Sequence, residues 1–132
     1  MRPTPANVAL AAEVVASYVR ARRKLRHADL RVALADLRAV DSPRLRPPAD
    51  PIDGGRRLGR AVARTLALLP GDTRCLTQSL VLTRLLAARG MESRLVIGVR
   101  PGERFAAHAW VEHDGVPLLP PGADHFEELV TL

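Results

Sequence analysis

Between Cys75 and Ala88 the chain reads CLTQSLVLTRLLAA, and Gly90 stops the run. The spacing predicts a helix on which Leu76, Leu80, Val81, Leu82, Leu85 and Leu86 cover much of the circumference. A helix that is apolar over so much of its surface must be covered on most sides. It is therefore expected to be a buried central element with the rest of the chain wrapped around it. In 132 residues that describes one domain. Aromatic residues make up only 3% of the chain, so Leu, Val and Ala have to fill its core.

The flanking segments can be read by the same rules. Asn7 is placed to cap a first helix running to about Arg26, with Val8, Leu10, Ala11, Val14, Val15, Tyr18 and Val19 at helical spacing. The cations of RARRKLR suit its C-terminal end. A shorter helix follows in DLRVALADLRAV, with Leu30, Ala33, Leu34 and Leu37 on one face. The stretch DSPRLRPPADPIDGG reads as a loop because its prolines and glycines break regular structure. A third helix is expected from about Gly55 to Leu69, ended by Pro70 and Gly71, and Asp72 or Thr73 is placed to cap the central helix. ESRLVIGVR and ERFAAHAWVEH alternate as strands, Asp114-Gly115 is a hairpin turn, and VPLLP is the returning strand. Pro117 confines that strand to an edge. Helices first and a small antiparallel sheet afterwards make an α+β fold. Residues 1–132 are expected to form one domain, with a helical part over 1–40, a proline-rich loop over 41–55 and a core over 56–132.

Charge is unevenly spread. Residues 1–70 carry 14 Lys and Arg against 6 Asp and Glu, whereas residues 71–132 carry 6 against 8. The basic half is read first as a solvated arginine-rich surface. No aromatic interleaving or nucleic-acid motif accompanies it, so no nucleic-acid partner is expected. Glu13 interrupts the N-terminal apolar stretch, which lacks a signal-peptide pattern, and no segment approaches the ~20 apolar residues of a membrane span. The expected location is the cytoplasm. No His or carboxylate spacing points to a metal site, and Gly54-Gly55 lacks the Lys-Ser/Thr of a phosphate loop. No cofactor is expected.

Cys75 is the only cysteine, which excludes an internal disulfide or a multi-thiolate metal site. Its place on the first turn of the apolar helix matters, because unpaired backbone N–H groups and the helix dipole there favour a thiolate and a developing oxyanion. Arg74 adds positive charge. A strand folding back from the far end of that helix would carry His108, 33 residues on, to the thiol. A lone cysteine or histidine is usually core packing; together in these two places they point to a nucleophile and its base. Gln78 lies one turn from Cys75, and Trp110 shares the His108 face, where it either packs over the imidazole or simply fills the core.

The ordered set Arg74-Cys75-Leu76, Gly98-Val99-Arg100, His108-Ala109-Trp110-Val111-Glu112 and Asp114-Gly115 resembles the transglutaminase-like cysteine peptidases of lasso peptide biosynthesis. The likeness covers about residues 56–118. It implies a papain-like core geometry and a leader peptidase that recognises the leader region of a lasso precursor peptide and cuts to expose the residue later cyclised into the macrolactam, with Cys75 and His108 as catalytic residues. The length implies the stand-alone peptidase half of a split pair. The partners so implied are a separate leader-recognition protein and, downstream, a macrolactam synthetase. In that family a third catalytic acid lies on the returning strand about twelve residues after the histidine. Here that position is Pro120, followed by Pro121, so Asp124 becomes the candidate third residue. Asp114, a backbone carbonyl or a side chain from elsewhere stay open, and Glu112 reads as a surface or hairpin contact. Acyl transfer to an amine instead of water, or a non-catalytic adaptor, are the competing readings.

Overall fold

The computed structural model describes residues 4–40, 45–69, 75–100, 106–118 and 127–132. Four helices come first: α1 (Pro5–His27), α2 (Leu30–Arg38), α3 (Pro51–Leu66) and α4 (Cys75–Ala88). Four strands follow: β1 (Arg94–Arg100), β2 (Ala106–His113), β3 (Val116–Pro117) and β4 (Glu127–Thr131), forming an antiparallel sheet in the order β3-β2-β1-β4. The architecture is α+β, as the order of patterns in the sequence requires.

α4 is the central element. Leu80, Val81, Leu82, Leu85 and Leu86 are fully buried, with α1, α2 and α3 and the sheet all packed against it. Its apolar surface divides between two clusters. Val81, Leu82, Leu85 and Leu86 meet Val14 and Tyr18 of α1, Leu58, Val62 and Leu66 of α3, and Val111 of β2. Leu80 meets Ala21, Leu34, Leu37, Leu95 and Ala109. Two of the buried hydroxyls on α4 turn back onto their own helix: Ser79 Oγ donates to the Cys75 carbonyl at 2.7 Å and Thr83 Oγ1 to the Ser79 carbonyl at 2.8 Å. This satisfies them without a partner from another element.

Three features differ from the sequence expectations. α1 is capped by Thr4, not Asn7: the Thr4 hydroxyl accepts the Asn7 N–H at 3.1 Å and Pro5 fits the first helical position. α3 begins at Pro51, inside the expected loop over 41–55. Asp50 caps it by accepting from the N–H groups of Ile52 and Asp53. Gly54 and Gly55 are therefore helical, and a Cβ on them would meet Pro48 Cβ at 2.2 Å and Leu118 Cδ1 at 2.7 Å. They serve close packing rather than a break. Finally, the tail forms β4, which crosses to the far edge of the sheet and pairs with β1 through Val96↔Thr131 and Ile97↔Val130. Leu95 and Leu132 exchange backbone hydrogen bonds of 2.9 and 2.8 Å, and Arg38 Nη2 donates to the carbonyls of Ser93 and Leu132.

The hairpin turn behaves as its residues demand. Asp114 at φ 50° and Gly115 at φ 77° both take the left-handed conformation of a tight two-residue turn. β3 is the edge strand, where Pro117 costs no ladder bond. An ion pair between Glu13 and Arg89, at 2.8 Å, ties α1 to the end of α4. Among the described residues, no helix is long and apolar enough to cross a membrane.

Candidate active site

Cys75 is the first residue of α4 and is half-buried beside the second apolar cluster. β3 pairs with β2 only at Glu112↔Pro117 and His113↔Val116, and Leu118 N–H then reaches the Val111 carbonyl at 2.7 Å. Two residues further along β2, the Ala109 N–H donates to Cys75 Sγ at 3.3 Å. That amide belongs to the peptide bond joining His108 to Ala109. The thiol is thus held against β2 at Ala109, the residue after His108 in the sequence. The contact is possible because Ala109 is small. Its methyl lies in the core under α4 and lets the helix end approach the strand backbone.

Alternation along β2 sends Ala109 and Val111 to the helix side and His108, Trp110 and Glu112 to the other face. His108 is half-buried. Its ring stacks on the Trp110 indole, with centroids 6.1 Å apart and planes 24° from parallel. Trp110, 6% exposed, sits opposite Val96 of β1, and its Nε1–H donates to Glu112 Oε2 at 2.8 Å. The two readings of Trp110 are therefore both realised: it fills the core and it packs on the imidazole. Across the ladder from His108 stands Gly98, which places no side chain beside the ring. The contact between thiol and strand amide was not legible in the sequence, because a backbone N–H leaves no mark on residue type.

Glu112 is a hydrogen-bond acceptor for the indole rather than a mere surface contact. Asp114 stays in the turn, exposed, 3.5 Å from His113 Nε2. Gln78 is half-buried on α4, one turn from Cys75. Asp124, the candidate third residue, lies outside the described residues, as do Arg74, Asp72, Thr73, Pro120 and Pro121. Two surface hollows, of about 850 and 920 Å³, are lined by other residues than Cys75 and His108. Among the described residues, no cluster of His, Cys, Asp and Glu could hold a metal ion.

A thiol at a helix start, an amide aimed at its sulfur and a histidine on the abutting strand are the parts of acyl chemistry at cysteine. The Transglutaminase-like superfamily family description matches residues 12–131, nearly the whole chain. The chain belongs to the transglutaminase-like superfamily. Members of this superfamily commonly act as cysteine peptidases or acyltransferases. The matched span of this transglutaminase-like domain begins within α1 and runs through α2, α3, α4 and the strands. Neither curated proteins nor solved structures gave a match.

Proposed function

We propose that this protein is a cysteine peptidase that removes the leader from a lasso peptide precursor, acting with a separate leader-recognition protein. The observation that carries the catalytic part is the hydrogen bond from the Ala109 amide to Cys75 Sγ, which sets the thiol beside the His108 strand. The choice of substrate rests on the ordered Arg-Cys-Leu, Gly-Val-Arg and His-Ala-Trp-Val-Glu units of the sequence.

In the proposed reaction His108 takes the proton of the Cys75 thiol, and the sulfur attacks the scissile carbonyl, forming a C–S bond as the carbonyl π electrons move onto oxygen. Backbone N–H groups at the start of α4 stabilise that oxyanion. The intermediate collapses, the C–N bond breaks, and His108 delivers a proton to the departing amine. A water molecule, deprotonated by the same imidazole, then hydrolyses the thioester and frees the thiol. Asp124 is the proposed third residue. A macrolactam synthetase would act on the released core peptide.

The leader-recognition protein is proposed to dock on α1. Arg23 and Arg26 are exposed there, whereas Arg20 and Lys24 bind Asp36 and Arg22 lies over the Tyr18 ring. The test is cleavage of a cognate precursor, with that partner present, followed by mass spectrometry. The wild type is expected to cut one leader–core bond, and Cys75→Ala to lose all cutting. Cutting that persists in Cys75→Ala would overturn the nucleophile, and an amide-linked product in place of a free carboxylate would favour acyl transfer to an amine.

A further inference from the structure

We propose that Glu112 and Trp110 are positioning residues for His108, holding the imidazole through a chain that runs from carboxylate to indole to ring. The inference rests on the reading of Cys75 and His108 as nucleophile and base, and concerns what keeps that base in place.

The three side chains alternate onto one face of β2, so they line up at positions 108, 110 and 112. Glu112 Oε2 accepts the Trp110 Nε1–H at 2.8 Å. Glu112 stands directly opposite Arg94 in the ladder, yet its carboxylate oxygen is turned along the strand to the indole. The indole, so fixed, is stacked against the imidazole at 6.1 Å. On the far side of the ladder, Gly98 gives His108 no side chain to lean on. The Trp110 plane lies against the ring, and the Glu112 bond limits the tilt of that plane.

The consequence is measurable without any peptide substrate. Alkylation of Cys75 by iodoacetamide, followed by intact mass, reads how well His108 activates the thiol. His108→Ala is expected to slow it. Glu112→Ala and Trp110→Phe should each slow it about fivefold, the effect of one hydrogen bond at 1.4 kcal/mol per factor of ten. Glu112→Gln, whose amide oxygen still accepts, should restore the wild-type rate. The double variant should be no slower than either single one, because both break one chain. In a His108→Ala background, Glu112→Ala should change nothing. Trp110 is the only tryptophan, so its emission should shift in Glu112→Ala and not in Glu112→Gln.

The proposal is overturned if Glu112→Ala alkylates at the wild-type rate, if Glu112→Gln fails to rescue, or if the loss persists in the His108→Ala background. If His108→Ala itself alkylates at the wild-type rate, the nucleophile–base reading falls, and the positioning role with it.

Discussion

Gly55→Ala sets two physical effects against each other, and the structure decides the sign. In a helix interior alanine is favoured over glycine by about 1 kcal/mol. Propensity alone therefore predicts a more stable protein. The added Cβ, however, would stand 2.7 Å from Leu118 Cδ1, 2.9 Å from Cδ2 and 3.3 Å from Cγ. To bring the nearest atom out to 3.4 Å, Leu118 must retreat by about 0.7 Å. Leu118 is 2% exposed and belongs to the cluster of Val62, Leu66 and Val111, so no open space receives it. Overpacking of this kind costs about 1–3 kcal/mol. Taking about 2 kcal/mol for the clash and about 1 kcal/mol for the propensity gain, the net loss is about 1 kcal/mol. For a chain of 132 residues that lowers Tm by about 4 °C. Differential scanning calorimetry of wild type, Gly55→Ala, Leu118→Ala and the double variant checks it. In the Leu118→Ala background the clash partner is gone, so Gly55→Ala should become stabilising. A rise in Tm for Gly55→Ala in the wild-type background would refute the steric reasoning and leave propensity as the winner.

Two further outcomes follow from charged side chains. Arg38 is kept half out of water, which pushes its guanidinium below the usual arginine range, and it donates to the carbonyls of Ser93 and Leu132. Arg38→Met keeps the stem and loses both bonds, at about 2 kcal/mol; hydrogen exchange at the Leu95 and Leu132 amides should accelerate, and unchanged exchange would reject the clamp. The Arg20 guanidinium bonded at 2.8 Å, helped by Lys24, holds the Asp36 carboxyl below its ordinary 3.8 despite partial burial. A lowered folded value means that the stabilisation is present above about 3.8 and is lost as pH falls through the lower value. Wild type should exceed Asp36→Asn by about 0.5 kcal/mol near neutrality, since Arg20 is largely exposed, and the gap should close in acid; a gap independent of pH would refute it.

Much of the framework was legible because it is written in side-chain periodicity. α4 shows its burial in its leucines, α2 in Leu30, Ala33, Leu34 and Leu37, and the hairpin in Asp114-Gly115. What was not legible depends on partners distant in sequence. Gly54-Gly55 looks like a break until Pro48 and Leu118 are seen pressing on it. The segment EELVT has no strong alternation of its own and becomes β4 by pairing with β1, on the other side of the sheet from the strand before it in sequence. At the candidate site, Cys75 and His108 are candidates by residue type and helix position, and the structure places the thiol against β2 at the next residue, Ala109. The Ala109 amide, by contrast, has no residue-type signature. Glu112 could be put on the His108 face by alternation, but its bond to the indole depends on rotamers that no pattern encodes.

The closeness of α4 to β2 makes Ala109 a shim. It carries no chemistry, yet its single methyl sets the gap between the strand and the helix end that bears the sulfur. A valine there would add two carbons beneath α4 and prise the thiol from the amide, while leaving Cys75 and His108 in the sequence. Tolerance to change in this protein should therefore be read as two separate ledgers. Residue type is one and spacing the other: at position 109 it is side-chain volume that sets how closely the helix end bearing Cys75 approaches β2.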